Sequence, residues 1–256
     1  MRSKLSPAST APRSHEEVKS KIANAEIGVP RKTSPIWHSR GYLPHVESRD
    51  RIQHVTFHLA DSVPKTVLRQ LSSELRTLPT SKRDIELRKR LEAWMDAGHG
   101  SCVLRNSAIA QMVQHSLLRF DGNRYLLLAW VVMPNHVHVL FEPIEGRTAA
   151  KIVASWKRFT ATKIHAELAR STSGSSKRAL PGNANLRIGV LGVARRSAAS
   201  VWHREYWDRY IRDERHLNRA IEYIHLNPVK AGLAATPETW PWSSANPNCQ
   251  RAQVLR

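Results

Sequence analysis

The sequence predicts an α+β fold, a mainly antiparallel sheet with helices packed on it. Two strongly β-prone runs, Tyr125 to Val132 and His136 to Glu142, are separated only by Met133-Pro134-Asn135, which is the spacing of a hairpin or of two tightly connected strands. A third run, Arg51 to Ala60 (RIQHVTFHLA), alternates apolar and polar residues with β-branched members. Between and after these runs apolar residues recur at helical spacing, so helices separate strands that include a hairpin.

Taken in order, the strand at 51–60 is followed by Asp61 and Ser62 as expected helix caps and by Pro64 in a first turn. Leu68, Leu71, Leu75 and Leu78 then mark one helix. Leu87, Leu91, Trp94 and Met95 mark a second, which ends before Gly98 and Gly100. A third starts near Asn106 and carries Ile109, Val113 and Leu117, and Asp121-Gly122-Asn123 is a turn before the hairpin. A helix from about Thr148 to Leu168 places Ile152, Trp156 and Phe159 on one face. WHREYWDRYI holds a short strand, and Asp213 caps a last helix with Glu214 in its first turn. Pro228 disfavours helical geometry at Asn227, so that helix is expected to end or kink there.

The 256 residues suit one domain with appendages, and 41% apolar residues are enough for a core. Residues 1–40 are rich in Ser, Pro, Lys and Arg without apolar periodicity and read as a flexible basic arm. Residues 41–256 form the expected domain, with a loop insertion at about 171–200 in which only LRIGVLGV suggests a strand. No apolar run has the roughly 20 residues a spanning helix needs, the N-terminus lacks a signal-peptide stretch, and Cys102 and Cys249 cannot build a disulfide framework. A soluble, cytoplasmic protein is expected. Forty Lys and Arg against 21 Asp and Glu leave a net charge of +19, and the isoelectric point near 10.8 points to a nucleic-acid partner. Membrane attachment would need a basic amphipathic helix or a lipidation motif, and neither is seen.

Chemistry concentrates in two places. His136 and His138 lie two apart on a strand, so both imidazoles leave the same face while Val137 and Val139 leave the other. Two converging imidazoles can hold a divalent metal; two histidines on a half-exposed sheet face fit the same pattern. Neither cysteine has finger-like spacing to close a zinc site. On the last helix Leu217, Ile221 and Ile224 form an apolar stripe, and His216, Ala220, Tyr223 and Asn227 form a second one beside it. That stripe presents a phenol and a carboxamide one turn apart. Tyr is a weak nucleophile with a pKa near 10 unless a Lewis acid activates the phosphorus it attacks, and a packed ring with a hydrogen-bonded hydroxyl is the plainer alternative.

These residues fall within longer segments: Trp130-Val-Val-Met-Pro-Asn-His-Val-His-Val-Leu140, Trp156-Lys-Arg-Phe-Thr160, Ile211-Arg-Asp-Glu214, Tyr223-Ile-His-Leu-Asn-Pro-Val-Lys-Ala-Gly232 and Trp240-Pro-Trp-Ser-Ser244. In that order, from about 41 to 244, the chain resembles the REP-associated tyrosine transposases, which are single-tyrosine HUH endonucleases. The resemblance implies a ferredoxin-like sandwich, His136 and His138 as the metal-binding pair, Tyr223 as nucleophile and Asn227 as a third metal ligand, with Mg²⁺ or Mn²⁺ bound. It implies an enzyme that nicks and joins single-stranded or hairpin DNA near repetitive extragenic palindromes through a 5′-phosphotyrosine, without ATP, as monomer or homodimer. Lys151, Lys157, Arg158 and Lys163 are expected phosphate contacts. Trp156 can stack a base, but its place on the apolar stripe favours core packing. Tyr206 and Tyr210 are the next candidates for nucleophile. A catalytically inactive hairpin-binding relative is the alternative, although pure binding needs neither the histidines nor Tyr223. An RNA-binding module would place exposed aromatics where the motif strand carries histidines.

Overall fold

The computed structural model describes residues 36–39, 44–47, 51–144, 146–173 and 200–249. Ile36–Ser39 (β1), at the end of the expected arm, pairs antiparallel with Pro44–Glu47 (β2) as a separate two-stranded ladder. Residues 1–35, and 174–199 of the expected insertion with LRIGVLGV among them, lie outside the described residues.

The main sheet consists of Gln53–His58 (β3), Tyr125–Val132 (β4), His136–Pro143 (β5) and Trp207–Tyr210 (β6). Their order is β4-β5-β3-β6, and every neighbouring pair is antiparallel. Counted along the chain this is 2-3-1-4, with helical crossovers after the first and third strands, which is the ferredoxin-like arrangement that the family resemblance implies. The connection between β4 and β5 is the expected Met133-Pro134-Asn135 turn.

Strand alternation sorts the side chains into two layers. Val55, Phe57, Val137, Val139 and Phe141 meet Ile109, Val113 and Leu117 of Ser107–Leu118 (α3) and Ile152, Val153 and Trp156 of Ala149–Ser173 (α4). On the opposite face Leu140 joins Leu217, Ala220 and Ile224 of Glu214–Lys230 (α5). A register shift at Leu128 turns β4 over, so that Leu127 faces the first layer and Ala129 the second. His54, Thr56, His58, His136 and His138 also point to this second face, with Thr56 opposite His138 and His58 opposite His136. All five are at most 4% exposed. The polar half of the alternation is therefore an interior layer and not the half-exposed surface that alternation usually signals.

Lys65–Glu74 (α1) and Thr80–Asp96 (α2) follow β3. Asp61 and Ser62 do not cap α1, whose N-cap is Pro64 with no side-chain bond. Ser62 Oγ is committed to the Leu59 carbonyl and to His58 Nδ1, and Asp61 accepts from the Ser101 amide. Tertiary partners have outcompeted the local cap. Gly100, at φ +93°, permits that approach, since a Cβ there would sit 3.0 Å from the Asp61 carbonyl oxygen. Leu78 lies beyond α1, in the bend before Pro79. The last helix does not end at Asn227: it continues through Pro228 to Lys230. Only one intrahelical donor is lost to the ring, and the Asn227 and Pro228 carbonyls are still used by Ala231 and Leu233. The C-terminal segment lies along the edge of β4, where Val132 donates to the Trp242 carbonyl and Ser244 to the Trp130 carbonyl. Ser244 Oγ also meets His225 Nε2 of α5 at 2.8 Å, tying that helix to the sheet.

Candidate active site

The site lies between the histidine face of the sheet, α5 and α2. Asp213 opens α5 by accepting from the His216 amide at 2.7 Å, and the stripe of Leu217, Ala220 and Ile224 seats the helix on β4 and β5. This places Tyr223 with its ring 5.3 Å from that of His138 and 5.9 Å from that of His54. One turn later the Asn227 carboxamide nitrogen is 3.4 Å from His138 Nε2. The imidazoles of His136 and His138 meet edge to face at 4.8 Å. Tyr223, Asn227, His136 and His138, which are far apart in the chain, are thus neighbours.

Each imidazole is oriented by a partner on its other nitrogen. His136 Nδ1 is 2.7 Å from the Asn135 carboxamide oxygen, which can only accept, so His136 Nδ1 donates and Nε2 keeps its lone pair. His138 Nδ1 is 2.8 Å from Thr56 Oγ1. Burial holds both rings neutral by pushing their pKa values well below the ordinary histidine value. His136 Nε2 and the Asn227 carboxamide oxygen are buried without a hydrogen-bond partner, a cost that a ligand accepting both lone pairs would remove. Among the described residues no three His, Cys, Asp or Glu side chains cluster to hold an ion. The donor set nonetheless fits a divalent ion if the Asn227 oxygen supplies the third ligand.

The neighbours that sequence reading missed are Asn135, Thr56, His54, Glu92, Asp96 and Arg209. Asn135 Nδ2 donates to the Met95 and His99 carbonyls at 3.0 and 2.8 Å, fixing the end of α2 beside His136. Asp96 Oδ1 is 3.5 Å from His136 Nε2. This is not an ion pair, because His136 is neutral, and burial with the Glu92 charge lifts the Asp96 carboxyl to about 6. Burial, and then the charges of Glu92 and Asp96, raise the phenol above its ordinary value. Burial, together with Arg209 and Arg88, lowers His54 to about 3. Glu92 and Asp96 sit at i and i+4 on a charged helix, a spacing that also describes any solvated face.

The expected DNA contacts do not join this cluster. Lys151, Arg158 and Lys163 are exposed on α4, on the opposite side of the sheet, and line clefts with Arg119, Arg124 and Phe159. Lys157 points elsewhere and donates to the His203 and Arg204 carbonyls at 2.6 and 2.8 Å; burial lowers it to about 8. Trp156 is core, 3% exposed, with its indole N–H donated to the Tyr125 hydroxyl. Tyr206 packs on the α3–α4 side, and Tyr210 lies under Arg51.

No family model matches the chain. A REP-associated tyrosine transposase of Escherichia coli (strain K12) is 23% identical over 135 residues, covering 52% of this chain and 63% of its own length. A putative REP-associated tyrosine transposase of Haemophilus influenzae is 39% identical over 46 residues, 18% of this chain and 26% of its own. The chain is similar to the REP-associated tyrosine transposases. An uncharacterized protein of Haemophilus influenzae is 31% identical over 105 residues, 39% of this chain and 52% of its own. The chain therefore spans less than two thirds of the length of each of these three relatives. A solved REP-associated tyrosine transposase bound to a REP hairpin aligns with a TM-score of 0.44 at 16% identity, covering 81% of this chain and 82% of that one. No helix among the described residues is long and apolar enough to cross a membrane.

Proposed function

We propose that the protein is a DNA-processing enzyme that nicks and joins single-stranded or hairpin DNA through a 5′-phosphotyrosine on Tyr223. The observation that carries this reading is the juxtaposition of the Tyr223 ring, 5.3 Å from His138, with two neutral imidazoles and a carboxamide that has an unpartnered oxygen. The names of the sequence relatives point the same way.

In this reading the Tyr223 oxygen attacks the scissile phosphorus in line, its bond to phosphorus forms as the bond to the 3′ oxygen breaks, and the 5′ end stays on the protein. One phosphodiester replaces another, so a 3′-hydroxyl can rejoin by the reverse step without ATP. His136, His138 and Asn227 would hold Mg²⁺ or Mn²⁺, which when bound supplies positive charge to a non-bridging phosphate oxygen. Asn135 and Thr56 keep the two imidazoles in orientation. His54, His138 and Asn227 beside Tyr223 are buried, which would limit the water able to compete with a 3′-hydroxyl. A single strand suits the site because its backbone bends freely into the in-line geometry. The exposed Lys151, Arg158 and Lys163 would neutralise phosphates of a longer DNA on the far face. Tyr223→Phe is expected to abolish the covalent protein–DNA adduct in gel assays with Mn²⁺ while hairpin binding persists. An adduct retained by Tyr223→Phe would assign the nucleophile to another tyrosine, and wild-type binding with no adduct would leave the inactive hairpin binder.

A further inference from the structure

We infer that Lys230 holds a non-bridging oxygen of the phosphate that Tyr223 attacks, an inference that rests on the strand-transfer reading. Its placement comes from the end of α5. Tyr223, Asn227 and Lys230 stand at i, i+4 and i+7, so they share one stripe of the helix. Side chains on a helix lean toward its N-terminus, and the Lys230 stem therefore runs back along that stripe toward the phenol. Its ammonium nitrogen lies 5.4 Å from the centre of the Tyr223 ring. This depends on α5 running past Pro228, because a helix ended at Asn227 would leave Lys230 off the stripe. The helix closes just beyond it. The Ala231 and Gly232 amides donate to the Asn227 and Val229 carbonyls. Gly232 takes φ +67° with nothing within 4 Å of where a Cβ would sit, so its backbone angle and not crowding favours glycine.

Lys230 is available for such a contact. It is exposed, and among the described residues no hydrogen bond or ion pair engages its ammonium. The other cations nearby are not available. Arg88 lies 3.9 Å from Glu92. Arg209, opposite His54 across β3 and β6, faces a cavity of about 10 Å³ that Arg88 and Thr56 also line, room for one water at most and not for a phosphate. Attack by Tyr223 gathers negative charge on the non-bridging oxygens of the phosphate. Asp96, 3.5 Å from His136, repels that charge when ionised. A lysine suits the task, since its ammonium is a point charge on a flexible stem and can swing from the ring to an oxygen without moving the helix. Lys230 stays protonated throughout. The Tyr223 oxygen bonds to phosphorus as the bond to O3′ breaks, and the phenol loses one proton while O3′ gains one, so none is consumed. The phosphotyrosine diester keeps one negative charge, which Lys230 pairs with until a 3′-hydroxyl displaces the tyrosine.

The experiment takes two readouts from the full chain with a pool of labelled DNA hairpins carrying randomised stems and single-stranded flanks. One is affinity against KCl concentration in EDTA; the other is single-turnover adduct formation with Mn²⁺ at saturating DNA. Lys230→Met keeps the stem and removes the charge. It is expected to make the slope of log affinity against log salt shallower by about 0.7, the share of one phosphate contact on a single strand. It is also expected to slow adduct formation by about 10- to 10²-fold, the worth of one hydrogen bond to a charged group. Lys230→Arg is expected to keep the slope and most of the rate, and Lys230→Gln carries the test if Lys230→Met does not fold. A wild-type slope without the charge would overturn the inference and leave strand transfer standing. So would a shallower slope with a wild-type rate, because the contact would then be to a phosphate other than the one attacked. No adduct from wild type would overturn the strand-transfer reading and the inference with it.

Discussion

Asp96 shows how far a single side chain here is from its solution chemistry. Its Oδ1 is buried without a hydrogen bond beside an imidazole that stays neutral. The carboxyl rises from 3.8 to about 6. A raised folded-state value means that the stabilising contribution is complete below the unfolded value and is lost as pH climbs through the folded one, between about 4 and 6. Two pKa units correspond to about 3 kcal/mol, and partial exposure of the side chain reduces this. In urea unfolding with EDTA, Asp96→Asn should therefore gain about 2 kcal/mol at pH 7.5 and change little at pH 4; a loss at pH 7.5 would mean that the carboxylate has a stabilising partner. None of this was legible in the sequence. The two-residue spacing of His136 and His138 reveals a shared face, because alternation is local, but Asn135 matters only because the fold brings residues 95 and 99 to its amide.

At the level of elements, legibility followed locality. The strands at 53–58, 125–132 and 136–143 have their own alternation or apolar runs, and each helix with a continuous apolar stripe was readable from its spacing. The misreadings share a cause. Asp61 and Ser62 look like caps in isolation, yet each has a long-range or side-chain partner that a sequence does not display. Pro228 looks like a stop, but so close to the end of α5 it costs only one donor. Where no competitor exists, the local rule held: Asp213 caps α5 and Asn106 caps α3, the latter accepting from the Ala108 and Ile109 amides. Asp213→Ala should lower stability by about 1 kcal/mol, read from the urea midpoint. The loss should fall on α5 alone, and a midpoint equal to wild type would show that the sheet, not the cap, fixes the start of the helix.

The whole molecule carries a layer of buried neutral histidines under a cationic surface, and the two act together as pH falls. His54 and His58 are both lowered to about 3, mainly by burial. A base with a depressed folded-state value stabilises the fold above its unfolded value of 6.5 and withdraws that contribution as pH falls below it. Each such group costs about 1.4 kcal/mol per pH unit, so at pH 5 the pair removes about 4 kcal/mol. His136 and His138 shift in the same direction. Asp96 opposes this, since it regains a proton near pH 6, but one carboxyl returns only about 1.4 kcal/mol per unit over that interval. The histidines win, and the formal charge of +19 adds self-repulsion as each further proton binds. Against a typical domain stability of about 5–15 kcal/mol, a net loss of a few kcal/mol is large. The urea midpoint of the metal-free protein should fall steeply from pH 7 to pH 5, with net uptake of at least one proton on unfolding. Substituting His54 by Asn should make that dependence shallower by about one proton. A flat midpoint across this interval would mean that the histidine layer is already charged or open to water, and a layer of that kind could not present neutral imidazoles to a metal at Tyr223.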